Sequence, residues 1–380
     1  MVSNRIQQTH QPPLVNLGAL AARTTGCISL GQGVPYYQPD EEFMINFASS
    51  INNSEFHRYT PDQGIPELRT KIAHKFEADN QLQVDPSQII VTNGANQAFV
   101  NVLLTLCDPG DRVALITPYY FNHQMACEFS GIQTDFVNMG PNFILDEEAI
   151  EKSLKKKPKA LVLVNPGNPT GHVLSNNDIS LLSDLLENTN TILISDETYE
   201  YFTYNGTKHI TAASNKGLKD KTITLGTFSK TYGIPGWRLG YYIGAREILD
   251  ESVKIQDTTT ICAPAPAQYL GLRLLENRDI FIPKFVSLME NNHKIAKDLL
   301  EEVSWLQASN SMGAYYLFPK QTTGINTEKL ANNLITQNKV AVVPGQGFGE
   351  YYKDHVRISF ANVHSEQLKD AFSRLKQAEV

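Results

Sequence analysis

Cysteine is scarce. Cys27, Cys107, Cys127 and Cys262 are scattered over 380 residues. They have neither the close spacing of a metal-ligand set nor the density of a disulfide framework, so no metal and a reducing, cytoplasmic setting are expected. Long apolar runs are missing too: no stretch reaches the roughly 20 residues of a membrane span. The opening MVSNRIQQTHQPP has no apolar core of the kind a signal peptide needs, so no membrane partner is expected. A strong excess of one charge is lacking: 33 basic against 40 acidic residues give a net charge of -7, which argues against a nucleic-acid partner. Internal repeats and low-complexity tracts are absent, which excludes solenoid and linker architectures. What remains is an ordinary soluble composition on a chain long enough for two domains.

From about residue 88, apolar strands alternate with amphipathic helices. Gln88–Val91, Arg112–Thr117, Ala160–Asn165, Thr191–Asp196, Thr222–Gly226 and Gly240–Ile243 read as strands. Gln97–Leu106 and Asp178–Asn188 read as helices between them. This pattern predicts an α/β fold: a large domain with a mostly parallel sheet sandwiched by helices. The tail, with long helices from Ala267 and shorter strands near Gly313–Phe318, Val340–Pro344 and His355–Phe360, predicts a smaller α+β domain. The expected division is 1–35 for an N-terminal arm with part of the small domain, 36–265 for the large domain, and 266–380 for a linking helix and the small domain. Gln256–Ile261 reads as a loop. Ligands of such sheets sit beyond the carboxyl ends of the strands, where Asn96, Tyr120, Asn168, Asp196 and Lys230 fall.

Lys230 lies in KTITLGTFSKTYGIPGWRLG, between a strand end and a turn, with Arg238 eight residues on. Alone, such a lysine reads as an ordinary surface residue. The pair suits pyridoxal 5'-phosphate, whose aldehyde takes a lysine imine and whose phosphate wants a cation. Asp196 ends an apolar strand and suits a pyridinium N–H, or else caps the next turn. Tyr199 suits a ring hydroxyl or the core. Asn168, inside NPGNPTG, suits a phenolate oxygen. Gly94, Ala95 and Asn96 open a helix whose free N–H groups suit a phosphate, with Thr227 and Arg238 as further donors. Tyr120 suits stacking on the ring or plain core packing. Arg357, in VRISF, needs an anion: a substrate carboxylate, with Gly33 leaving room for it, or a structural carboxylate. His57 and His123 read as structural or solvent-facing.

Taken in order, YTPDQGIPELR, NGANQA, NPGNPTG, SDETY, TFSKTYGIPGWRLG and VRISF resemble the class I/II aminotransferases, pyridoxal phosphate enzymes of fold type I. The resemblance covers most of the chain. It implies that Lys230 forms the Schiff base and shuttles the proton, and that Asp196 pairs with the pyridine nitrogen. Asn168 and Tyr199 would bind the ring hydroxyl, and Tyr120 would stack. Gly94, Ala95, Asn96, Thr227 and Arg238 would hold the phosphate. Tyr59 would reach the phosphate of a neighbouring subunit, which implies a homodimer with shared active sites. Arg357, beside Gly33, would bind the α-carboxylate of an amino acid substrate, and hydrolysis would release a 2-oxo acid. The stretch Gln256–Ile261, where relatives place contacts from the partner subunit to the substrate side chain, has no cation and no aromatic but does have Asp257. A polar or cationic side chain is therefore expected rather than a dicarboxylic one, with Asp257 either as its partner or as a solvated loop residue. The alternative is elimination or cyclisation on the same scaffold, as in relatives that form capreomycidine or enduracididine from hydroxylated arginines. The residues around Asp257, Tyr36 and His57 are expected to decide between them.

Overall fold

The computed structural model describes residues 1–11 and 14–379. A short β1 (Ile28–Ser29) precedes the seven strands of the large sheet. These are β2 (Ile89–Thr92), β3 (Arg112–Thr117), β4 (Gln133–Asn138), β5 (Ala160–Val164), β6 (Ile192–Asp196), β7 (Thr222–Thr227) and β8 (Gly240–Ile243). Four short strands follow: β9 (Tyr316–Leu317), β10 (Val340–Ala341), β11 (Val343–Pro344) and β12 (Val356–Ser359).

The large sheet has the order β2-β8-β7-β6-β5-β3-β4. Its pairs are parallel from β4 through β7, and β8 runs antiparallel to both its neighbours. Every strand except β8 therefore ends at one rim, and β8 begins there, so Arg238 just before it reaches the same rim as Asp196 and Lys230. The central strands β5, β6 and β7 are buried along almost their whole length because both faces are covered. On one face Val102, Leu115, Leu225 and Tyr242 join the helices Ala95–Leu106 and Arg246–Thr260. On the other, Leu161, Leu163 and Leu193 pack on Ile179 and Leu182 of the helix Asn176–Leu186. Truncating a fully buried leucine such as Leu182 to alanine costs about 2–5 kcal/mol.

Two local readings change. β4 was not anticipated. It is an edge strand whose residues are mostly half-buried or exposed, and its Asp135 is held by Lys156 and Ser153 at 2.6 Å each. The supposed loop Gln256–Ile261 is the last turn of the helix Arg246–Thr260, closed by Ile261. Gln256 is fully buried, accepting from Asn101 and donating to the Val91 carbonyl. Thr258 and Thr259 donate their hydroxyls four residues back, which lets polar side chains follow the helix to its end.

The smaller unit contains β9, β11 and β12 as an antiparallel sheet, with β1 beside β10 in parallel. The helix Arg278–Leu300 packs on the final helix Ser365–Lys376. The β1–β10 pairing brings the following residues, Leu30–Tyr37, across the rim of the large sheet. Among the described residues, no helix is long and apolar enough to cross a membrane.

Candidate active site

A cavity of about 410 Å³ opens at that rim. Its phosphate-sized end is built by three turns. Gly94 caps the helix Ala95–Leu106 with φ +80° and without a side-chain oxygen, so the first amides of the helix have no side-chain acceptor. A Cβ on Gly94 would stand 2.6 Å from Arg238 Nη2, and one on Gly240 would stand 2.7 Å from the Ala95 amide nitrogen. Both glycines are there because guanidinium, helix end and β8 come together. Arg238 donates to the Pro235 carbonyl at 2.9 Å and to the Asn93 carbonyl at 3.2 Å. Thr227, the last residue of β7, accepts from the Ser229 amide at 3.1 Å and donates to the Leu239 carbonyl. The amides of Ala95 and Asn96, the Thr227 and Ser229 side chains that line this end of the cavity, and Arg238 thus form an anion cradle. Ser229 is a member that sequence reasoning did not single out.

Asp196 is buried at the end of β6. One carboxylate oxygen accepts from the Thr198 amide at 3.1 Å, and the other lies 3.3 Å from His123 Nε2. Burial pushes this carboxyl toward the neutral form, but the hydrogen bond and charge of His123 and the bonds of Thr198 outweigh it. The group stays below its ordinary pKa. His123 is therefore not solvent-facing. It stacks on Phe99 at 4.2 Å and meets Tyr120 edge-on at 5.3 Å. Tyr120 lines the cavity, with its hydroxyl held by Asn122 and its pKa pushed up to about 12 by burial.

Arg357 is 2 % exposed. Its Nη1 donates to Asn168 Oδ1 at 2.9 Å and its Nη2 to the Gly31 carbonyl at 2.6 Å, while its Nε has no partner. The Tyr316 and Phe348 rings lie against it at 4.5 and 4.8 Å. Among the described residues it forms no ion pair, so the structural-carboxylate alternative is not realised. Tyr199 shares a 2.6 Å hydroxyl–hydroxyl bond with Tyr316. Gly33 makes the Tyr316 position possible, since a Cβ there would fall 1.7 Å from the Tyr316 hydroxyl.

Lys230 sits on the single turn Phe228–Thr231 after β7, its amine donating to the Gly33 carbonyl. Burial first, then the charges of Arg357 and Arg238, lower its pKa to about 8 against the opposing pull of Asp196.

The remaining candidates lie elsewhere. Tyr59 is 78 % exposed and lies outside this cavity, on a separate concave surface with Arg58 and Cys262. Asp257 is exposed on the last helical turn and does not line the cavity, because that turn carries Gln256 inward and Asp257 outward. The Tyr36 ring packs on His364 at 4.1 Å, and exposed His57 bonds to the Ile51 carbonyl. Neither reaches the cavity. Besides Ser229 and His123, the sequence reading missed Tyr316, whose signal was its place at the start of a strand facing VRISF.

The donor set fits pyridoxal phosphate: an anion cradle, a carboxylate kept ionised while buried, an aromatic wall and a lysine of lowered pKa. The family described as aminotransferase class I and II matches residues 25–375. The chain is similar to an aromatic aminotransferase of Arabidopsis thaliana, 35% identical over 99% of this chain and 96% of the relative. It is also similar to an aspartate aminotransferase of Pyrococcus abyssi, 31% identical over 99% of this chain and 97% of the relative. The solved structure of the aromatic aminotransferase from Pyrococcus horikoshii superposes with a TM-score of 0.88 at 31% identity, covering 95% of this chain and 98% of that one. Family match, sequence similarity and superposition agree over nearly the whole length: the chain belongs to the class I and II aminotransferases.

Proposed function

We propose that this enzyme uses pyridoxal phosphate to move the amino group between an L-amino acid with an uncharged, aromatic or polar side chain and its 2-oxo acid. The observation that carries the reading is Arg357: a buried guanidinium with no anion among the described residues, next to a lysine whose amine is partly neutral near pH 8. The cradle at Gly94–Asn96, Thr227, Ser229 and Arg238 would hold the phosphate, Asp196 the pyridine N–H, and Asn168 with Tyr199 the ring oxygen. When bound, the cofactor supplies an aldehyde and an electron sink. Arg357 binds and orients the substrate α-carboxylate, making good the anion it lacks. Lys230 Nζ takes the α-proton and returns it, acting as a general base and acid with a pKa near the working pH.

The side-chain proposal rests on the residues that line the cavity together with Arg357. Gln32, Val34 and Phe121 are neutral, and among the described residues no cation besides Arg357, Arg238 and Lys230 lines the cavity. The aromatic aminotransferase relative supports it. The cationic option loses its carboxylate from this chain's cavity, since Asp257 points away. The aspartate aminotransferase relative supports a second reading, a dicarboxylic donor, whose second cation would come from another subunit. We further propose a homodimer in which the exposed Tyr59 completes the partner's phosphate site, in a reducing cytoplasm that suits four free cysteines.

The test is a donor panel with 2-oxoglutarate. Phenylalanine, tyrosine, glutamine and methionine are expected to give stoichiometric 2-oxo acid and glutamate. Aspartate outpacing all of them would overturn the side-chain assignment. Loss of a leaving group without glutamate would instead place the enzyme among the lyases or cyclases.

A further inference from the structure

The catalytic lysine is held at its main chain as well as at its amine. The Tyr37 hydroxyl lies 2.5 Å from the Lys230 carbonyl oxygen, and the Tyr315 hydroxyl lies 3.2 Å from the same atom. The two hydroxyls are 2.5 Å from each other. Neither residue lines the cavity. Both are buried, Tyr37 stacked on Phe285 at 4.2 Å and Tyr315 packed edge-on against Phe202 at 4.7 Å.

We propose that Tyr37 and Tyr315 are positioning residues that clamp the Lys230 backbone so that its side chain can move while its Cα stays fixed. The inference rests on the assignment of Lys230 as the proton carrier. The helix bearing Lys230 is a single turn of four residues, too short to support itself by its own hydrogen bonds. Its start is capped by Thr227, whose oxygen takes the Ser229 amide; its end leaves carbonyl oxygens that need donors. Two buried hydroxyls supply them.

Their protons can be counted. With one proton each, Tyr315 donates to the Tyr37 oxygen while Tyr37 donates to the carbonyl, a relay in which every proton is used. If Tyr37 loses its hydroxyl, Tyr315 is within reach of the carbonyl and can take over. The clamp is therefore redundant in either single variant and absent in the double. The two tyrosines also come from the segments that make the other contacts at this end of the cavity. Tyr37 follows Gly31 and Gly33, whose carbonyls hold Arg357 and the Lys230 amine. Tyr315 precedes Tyr316, which lies against Arg357. The carboxylate site and the lysine backbone are thus fixed by the same two stretches.

The experiment compares Y37F, Y315F and Y37F/Y315F in the full chain, each keeping its ring. In the cofactor-free protein, hydrogen exchange of the Phe228–Gly233 peptide is followed by mass spectrometry, with the β5 peptide as reference. In the loaded enzyme, kcat, KM and the isotope effect of an α-deuterated donor are measured. Each single variant is expected to change exchange and kcat by less than about threefold. The double variant is expected to exchange about tenfold faster at Phe228–Gly233 alone. Its kcat should fall by about tenfold or more with KM unchanged and a larger isotope effect. Wild-type exchange and kcat in the double variant would overturn the clamp, as would a loss confined to KM or exchange rising equally in β5. If wild type itself transfers no amine, the proposed function fails, and the exchange comparison still decides whether the hydroxyls hold the turn.

Discussion

His123 Nε2 lies 3.3 Å from Asp196 Oδ2, beneath the aromatic wall of the cavity. A buried carboxylate would ordinarily move toward neutrality, and this contact is the main reason Asp196 does not. In H123F the ring stack on Phe99 is kept but the hydrogen bond is lost, so the Asp196 pKa rises. A carboxylate of depressed pKa loses its ionised form as pH falls through that pKa. Raising it moves the loss upward, so the acid limb of the kcat/KM profile shifts to higher pH and activity at pH 7 falls by about tenfold. A profile with an unmoved acid limb would show that His123 only fills space.

Arg357 makes an unusual prediction about stability. It is buried with no anion among the described residues, so removing its charge takes away a desolvation cost along with two hydrogen bonds. R357M is expected to raise KM for the amino acid by about 10–100-fold, the scale of charge-assisted bonds. Its Tm in the absence of substrate should be unchanged or higher. A variant with unaltered KM would remove Arg357 from the carboxylate site.

Lys230 gives a pH signature without any cofactor. Acylation of the cofactor-free protein, quantified by peptide mass mapping, should show Lys230 half-reactive at about pH 8 rather than at its ordinary 10.5. Burial, Arg357 and Arg238 lower this pKa and Asp196 raises it. R357Q should therefore move the midpoint up and D196N should move it down. Because the folded pKa is depressed, the fold binds fewer protons than the unfolded chain between these values, and stability contributed by this group rises with pH across that window.

Asp257 tests the corrected helix end. It is exposed on the turn that buries Gln256, so D257N should leave kcat/KM for phenylalanine and glutamine within about twofold, the effect of an isolated surface charge. A selective loss with lysine or arginine as donor would restore the cationic reading through a neighbouring subunit. Q256A, by contrast, breaks two buried hydrogen bonds, at about 1–3 kcal/mol of stability.

Much of this site was readable from sequence because its parts are local. NPGNPTG and TFSKTYGIPGWR each follow one strand, and a parallel sheet brings strand ends together wherever the chain alternates strand and helix. The parts that were not readable depend on partners far apart in sequence. Nothing near Tyr37 announces a hydroxyl 278 residues away. β4 was missed because an edge strand keeps polar residues. Three threonines at 258–260 argue for a loop by propensity alone; the buried Gln256 anchor overrides it. His123 was within reach: it lies three residues past Tyr120, in the first turn of the helix that Tyr120 precedes.

The most direct measurement is borohydride reduction of the protein after incubation with pyridoxal phosphate, followed by peptide mapping. The site described here predicts one pyridoxyl group per chain, on Lys230, and none in K230A with the fold intact. Incorporation at another lysine, or none in the wild-type protein, would contradict it.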